Sequence, residues 1–331
     1  MSKARLAKTD ESARLYEAGL KLLLGLDGPQ EPEQAVALFE QAIEAGSGKA
    51  AARLAVLTAA GVARDQSWPG ALDLLETAAV LGDRLAQRQL GLLTDDADIA
   101  ARIRTSSSHG PAVWRRARAG IDLRRWLTPP APKLVSSTPQ VAMIRGFAPP
   151  EACRWLIKRA EPGLAPAQVN DPATGRLRDD PMRSNAVTRL GLGETDLVLL
   201  LMQARISAAT GFVFAQMEVP NLLRYEPGQE YRPHYDFFNP VTPDFQAEIA
   251  TFGQRVATFL VYLNDDFEGG ETDFPQAALR YRGPAGDALL FQNVRQDGSP
   301  DPLTLHAGLP PTRGQKWLLS QWIRDKAQAI S

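Results

Sequence analysis

Few residues in this chain of 331 are suited to bond-making chemistry, and three of them are its only histidines, His109, His234 and His306. His234 stands two positions before Asp236 in "EYRPHYDFFNP". On an extended strand residues i and i+2 face the same side, so an imidazole and a carboxylate at this spacing can reach one ion. His306, in "LTLHAGLPPTRGQKW", falls on a later predicted strand and supplies a third ligand type. Two histidines and one carboxylate leave three adjacent positions open on an octahedral metal, which suits oxygen chemistry at non-haem Fe(II). Zinc accepts the same donors, so both metals stay open on these residues alone. His109 lies in "RTSSSHGPA" and reads as a solvated linker histidine.

A cation for a co-substrate would separate the two metals. Lys316 follows His306 by ten positions, after a glycine turn and near the start of the last predicted strand. A 2-oxoglutarate held on iron by its 1-carboxylate and 2-keto oxygen sends its far carboxylate deeper into the protein. A buried ammonium there would neutralise it.

These residues need a scaffold, and from about residue 138 the sequence supplies strands. "VAMIRGF", "NLLRYE", "YRPHYDFF", "RVATFLVYLN", "ETDFP", "GDALLFQN", "LTLHAGL" and "KWLLSQWIR" are separated by Gly, Pro and Asp turns. Many short strands so spaced predict an antiparallel sandwich or barrel, with "PPEACRWLIKRA" as a supporting helix that buries Cys153.

The first hundred residues differ: they are rich in Ala, Leu and Glu at helical spacing. Ala35, Leu38, Glu40, Ala42, Gly46, Ala50 and Leu54 recur 36 residues later as Ala71, Leu74, Glu76, Ala78, Gly82, Ala86 and Leu90. Such a period predicts stacked helix pairs, with glycines closing helices where φ is positive. Three regions follow: helical repeats over 1–104, a linker with a basic helix over 105–137, and the β-rich domain over 138–331. "WRRARAGIDLRRWL" carries five arginines against one aspartate and reads as a solvated helix packing through Trp114, Ile121 and Trp126, while "TPPAPKLVSSTP" reads as a spacer.

Composition narrows the class. Apolar residues make up 44%, charged residues 23%, and the net charge is −1, so no global pull toward nucleic acid or membrane is expected. A polar N-terminus, a single cysteine and the lack of an 18-residue apolar run lead to the expectation of a cytoplasmic protein.

The repeats "AVALFEQAIEAGSGKAAARLAVL" and "ALDLLETAAVLGDRLAQRQLGLL" resemble Sel-one-like repeats, a branch of the tetratricopeptide superfamily, which implies a protein-docking surface or a cap on the neighbouring domain. The later pieces "RYEPGQEYRPHYD", "QRVATFLVYLND", "EGGETDFP", "GDALLFQN" and "HAGLPPTRGQKW" resemble, in order, a prolyl 4-hydroxylase-type 2-oxoglutarate/Fe(II) dioxygenase. That resemblance implies an α+β multidomain chain whose C-terminal part is a double-stranded β-helix, or jelly-roll, barrel. It implies that His234, Asp236 and His306 bind iron, that Lys316 binds the 5-carboxylate, and that Tyr225 and Tyr262 line the 2-oxoglutarate pocket. Arg183, Arg255 and Trp322 match positions on the substrate side, and Ala307 and Leu309 depart from the family's usual glycine and cysteine. The implied reaction inserts oxygen from O2 into a C–H bond, most simply of a prolyl residue in a protein or peptide, with succinate and CO2 released and ascorbate as reductant. Two other readings remain: a hydroxylase of a free amino acid or small metabolite, and a scaffold that has lost turnover.

Overall fold

The structure, a computed structural model, describes residues 3–105, 109–170, 177–179 and 182–328. The chain divides into two compact units, one of Met1–Thr128 and Leu192–Ala204, the other of Pro129–Gly191 and Arg205–Ile330.

The first unit is helical. Pro32–Glu44 and Trp68–Val80 are equal in length and start 36 residues apart, and each is followed by a second helix, Gly48–Ala60 or Arg84–Leu93. The turn between partners is built the same way twice. Gly46 and Gly82 take φ of 96° and 91°, a conformation open to glycine at little cost. Ser47 and Asp83 then cap the next helix by accepting from the amides of Ala50 and Ala86. Ala35, Ala42 and Ala50 and their counterparts Ala71, Ala78 and Ala86 are fully buried, so small side chains set the distance between helices.

The basic stretch forms two helices, Pro111–Ala119 and Leu123–Leu127, where one was expected. They break at Gly120, where any Cβ would run into Thr94 Oγ1. Trp114 and Trp126 are buried, and the Trp126 indole donates to the Leu93 carbonyl at 3.0 Å. Arg116 pairs with Asp96 at 2.7 Å and Arg118 with Asp73 at 2.9 Å, while Arg125 pairs with Asp95. These arginines serve acids of the helical unit.

Leu192–Ala204 also belongs to this unit, although it lies inside the expected β-rich domain. It holds the apolar start of the helix Leu197–Thr210, whose first amide donates to Gln89 Oε1 at 2.9 Å. The half-buried Arg53 guanidinium donates to the carbonyls of Leu192, Gly193 and Thr195.

The second unit is built on an eight-stranded antiparallel sheet. Its order is Lys133–Ser137, Gln140–Ile144, Ala288–Gln292, Arg255–Tyr262, Lys316–Arg324, Asn221–Tyr225, Ala186–Arg189 and Ala165–Pro166. The expected spacer "TPPAPKLVSSTP" thus contributes the edge strand Lys133–Ser137, paired with Gln140–Ile144. All nine residues of Lys316–Arg324 are buried, the polar Lys316, Ser320, Gln321 and Arg324 among them. A four-stranded sheet follows the order Leu279–Tyr281, Thr272–Phe274, His306–Gly308 and Tyr231–His234. Phe274 of the smaller sheet packs with Val141, Leu260, Leu289 and Phe291 of the larger one. Each such side chain contributes about 1.5–3 kcal/mol on burial.

One glycine controls how the chain enters the central strands. Gly286 takes φ of 90°, donates to the Tyr262 carbonyl at 2.7 Å, and accepts from the Ala148 amide at 2.9 Å. A Cβ there would overlap the Ala148 carbonyl oxygen. Gly286→Ala is therefore expected to destabilise the β-rich unit by about 3 kcal/mol or more, read by calorimetry as a fall of several degrees in its melting transition. An unchanged transition would mean that this turn relaxes freely.

Candidate active site

Strand pairing brings His234 and His306 together. His306 and His234 are direct cross-strand partners in the four-stranded sheet, with ring centroids 4.3 Å apart. Asp236 is placed differently from expectation. The strand Tyr231–His234 ends at the histidine, so Asp236 lies beyond the ladder and an extended i, i+2 pair is not what aligns them. A side chain holds it instead: the Thr258 hydroxyl donates to Asp236 Oδ2 at 2.7 Å. His234 Nε2 then lies 3.6 Å from Oδ1, and His306 Nε2 lies 3.5 Å from Oδ2.

The hydrogen bonds assign the tautomers. His234 Nδ1 is 2.8 Å from the Arg232 carbonyl and His306 Nδ1 is 3.0 Å from the Thr304 carbonyl. A carbonyl only accepts, so each Nδ1 carries hydrogen and each Nε2 turns its lone pair toward the carboxylate. Burial opposes ionisation of Asp236, but His306, His234 and the Thr258 hydroxyl outweigh it and hold its carboxyl below the usual range. Burial, with His234 nearby, pushes His306 down to about 4, against the pull of Asp236, so it is neutral at pH 7. The ligand atoms of His234, Asp236 and His306 all lie within 4.8 Å of one another. Two imidazole nitrogens and a buried carboxylate facing a common point fit a divalent first-row metal.

The same cavity holds Lys316. Its side chain is fully buried, and its Nζ has no hydrogen-bond partner among the described residues. It sits 5.0 Å from the centre of the Tyr225 ring and 5.7 Å from that of Tyr262. Burial pushes its pKa down to about 7, with Glu271 opposing. A buried ammonium without an acceptor is a site waiting for an anion.

Strand alternation explains what lines the rest. Lys316, Leu318, Ser320 and Trp322 on one strand, and Asn221, Leu223 and Tyr225 on its neighbour, face the cavity. Of the residues singled out from sequence, Tyr225, Arg183 and Trp322 line it. Tyr262 does not: its hydroxyl is engaged with Thr272 at 2.8 Å and the Tyr281 carbonyl at 2.9 Å. Arg255 is also outside the lining. It pairs with both carboxylate oxygens of Glu218, at 2.6 and 2.8 Å, and its guanidinium lies 3.6 Å from the centre of the Trp322 ring. Residues overlooked in the sequence include Tyr231, stacked on His234 at 3.4 Å, and Asn221, Thr272 and Ser320. Period-two counting from Lys316 would have found Ser320, and from Tyr225 would have found Asn221.

A small antiparallel sheet thus presents two histidines and an aspartate in the same cavity as a buried lysine. Residues 220–324 match the 2OG-Fe(II) oxygenase superfamily. The chain is 33% identical over 210 residues to "Prolyl 4-hydroxylase 1" of Arabidopsis thaliana, covering 59% of this chain and 72% of that protein. It is 35% identical over 217 residues to "Prolyl 4-hydroxylase 5" of the same plant, covering 60% and 71%. A crystal structure of the viral collagen prolyl hydroxylase of Paramecium Bursaria Chlorella virus-1 with 2OG overlaps with a TM-score of 0.44 at 28% identity, covering 56% of this chain and 95% of that one. The chain belongs to the prolyl 4-hydroxylase-type 2-oxoglutarate/Fe(II) oxygenases. It is a dioxygenase that uses Fe(II), 2-oxoglutarate and O2. Among the described residues no helix is long and apolar enough to cross a membrane.

Lys316 gives this site a stability signature. Its folded pKa of about 7 lies below the ordinary 10.5. The unfolded chain therefore binds more protons between those values, and stability falls as pH drops through that window. Lys316→Met keeps the bulk and removes the buried charge. Without 2-oxoglutarate it should be more stable than the parent by about 2–4 kcal/mol at pH 6, with the gap closing toward pH 10.5. Denaturant titrations at several pH values check this. A variant less stable than the parent at pH 6 would mean that the lysine has a partner in the free protein.

Proposed function

We propose that the protein hydroxylates prolyl residues in a protein or peptide, with His234, Asp236 and His306 holding Fe(II) and Lys316 taking the 5-carboxylate of 2-oxoglutarate. The single observation that carries this reading is the pairing, in one cavity, of the inward-facing His/Asp/His set with a buried ammonium that lacks a partner. Identity to plant prolyl 4-hydroxylases over the same residues supports the prolyl substrate.

Bound iron with 2-oxoglutarate supplies the oxygen-activating chemistry. The chain's residues do the rest. The Nδ1–H donors of both histidines fix ring orientation through the Arg232 and Thr304 carbonyls. Tyr231 stacks on His234 and keeps that imidazole from swinging. Lys316 fixes the depth of the co-substrate, and Tyr225 closes the pocket beside it. Leu223, Leu260 and Leu318 make the walls apolar and keep water from the reacting C–H bond. Arg183 and Trp322 lie on the substrate side, and Arg255 serves it through Trp322, whose indole it covers.

In this reading the two facing sheets form the double-stranded β-helix, and ascorbate restores iron oxidised in uncoupled cycles. The paired N-terminal helices are Sel-one-like repeats that dock the protein carrying the target segment, raising its local concentration at the cavity. The cytoplasm is the compartment that fits a single, buried cysteine.

The test is incubation with Fe(II), 2-oxoglutarate, ascorbate and a panel of peptides matched except for proline or alanine at one position. A gain of one oxygen atom, about 16 Da, is expected on proline-containing peptides only, with succinate formed in equal amount. His234→Ala should reduce both to background, since it removes one of three ligands. Succinate coupled to hydroxylation of a free amino acid, with no peptide modified, would overturn the prolyl-peptide reading.

A further inference from the structure

Asp236 lies beyond the end of its strand, so the ladder hydrogen bonds that fix His234 do not fix it. Its carboxylate is buried at 4% exposure and still has to present an oxygen to the ion. What holds it is a chain of side-chain hydrogen bonds that reaches across from the larger sheet. Asn293 Nδ2 donates to Thr258 Oγ1 at 3.0 Å, and Thr258 Oγ1 donates to Asp236 Oδ2 at 2.7 Å.

Every link in this chain has one direction. A hydroxyl has a single proton and two acceptor lone pairs. If Asn293 aims its NH2 at the Thr258 oxygen, the hydroxyl proton has to point elsewhere, and Asp236 is the acceptor in place. Asn293 itself is immobilised: its amide donates to the Val256 carbonyl at 2.8 Å, and its carbonyl accepts from the Asp301 amide at 3.1 Å. Its side chain is fully buried, and its Oδ1 has no partner among the described residues. A buried acceptor left unpaired costs about 1–3 kcal/mol. A leucine of similar size would avoid that loss, so the asparagine answers to something other than packing.

We infer that Asn293 and Thr258 are positioning residues that lock the Asp236 carboxylate, tying down Oδ2 so that Oδ1 is the oxygen offered to the ion. This inference rests on the iron reading above. The relay makes Asp236 a one-oxygen ligand and keeps the carboxylate from turning both oxygens onto the ion. The remaining positions are thereby kept for the chelating co-substrate and O2. It also joins the two sheets at the site, because Thr258 and Asn293 belong to the larger sheet and its following loop, while His234 and His306 belong to the smaller one.

The test uses the full chain with the redox-inert ions Mn(II) and Co(II), titrated by calorimetry, together with the visible absorption of bound Co(II). Thr258→Val, which keeps shape and loses the hydroxyl, should weaken both ions by about 10- to 100-fold and alter the Co(II) spectrum. Thr258→Ser should restore affinity and spectrum. Asn293→Leu should weaken the ions in the same way while leaving the metal-free protein as stable as the parent or more so, a combination that a merely structural role would not give. Parent-like Co(II) affinity in Thr258→Val, or failure of Thr258→Ser to rescue, would overturn the relay and leave the iron centre standing. Parent protein that binds neither ion would overturn the iron centre itself.

Discussion

The site depends on the pairing of two short strands. Tyr231–His234 and His306–Gly308 meet in the register that sets His306 opposite His234. Side chains on a strand alternate between faces, so a slip of one residue would send one imidazole to the wrong side of the sheet. Two short strands cannot hold such a register alone. Thr272–Phe274 pairs with His306–Gly308 on its other side, and Phe274 anchors that strand in the apolar layer with Leu260, Leu289 and Phe291. Apolar packing between the sheets thus holds a polar ligand set in place.

Burial makes the electrostatics of the site strict. Asp236, His306 and Lys316 are all buried, and the first two have a specific reason to tolerate it. Asp236 accepts the Thr258 hydroxyl, and His306 is neutral. Lys316 has no acceptor among the described residues. On the proposed reading an ion and an anion complete these groups, and burial is what lowers the lysine's pKa. A protein that keeps such a charge gives up stability at a functional position.

Much of this could be read before any coordinates. His-X-Asp, a distal histidine and a lysine ten residues on are rare enough in a chain with three histidines to point to the site. The 36-residue recurrence marked the helix pairs, because small buried residues and helix-closing glycines repeat with the structural unit. Other features depend on long-range contacts. Nothing local shows that the strand stops at His234, or that Thr258, 22 residues from Asp236, would hold its carboxylate. Arg255 and Tyr262 looked like cavity residues, but neither is in the lining: Arg255 pairs with Glu218, and the Tyr262 hydroxyl bonds to Thr272 behind it. Leu192–Ala204 falls inside the expected bounds of the β-rich domain, yet Gln89 and Arg53 draw it into the helical unit. The strand Lys133–Ser137 hid among prolines because an edge strand tolerates residues that a central one does not.

On the proposed reading His234, Asp236 and His306 hold iron on which 2-oxoglutarate chelates, and Lys316 takes its far carboxylate. Anaerobic titration of the Fe(II)-loaded protein with 2-oxoglutarate, followed by visible absorption, tests it most directly. A saturable charge-transfer band is expected in the parent. It should be absent without iron or in His306→Ala, and should need far more 2-oxoglutarate in Lys316→Met. Iron bound without such a band, or a band equally easy to saturate in Lys316→Met, would contradict it.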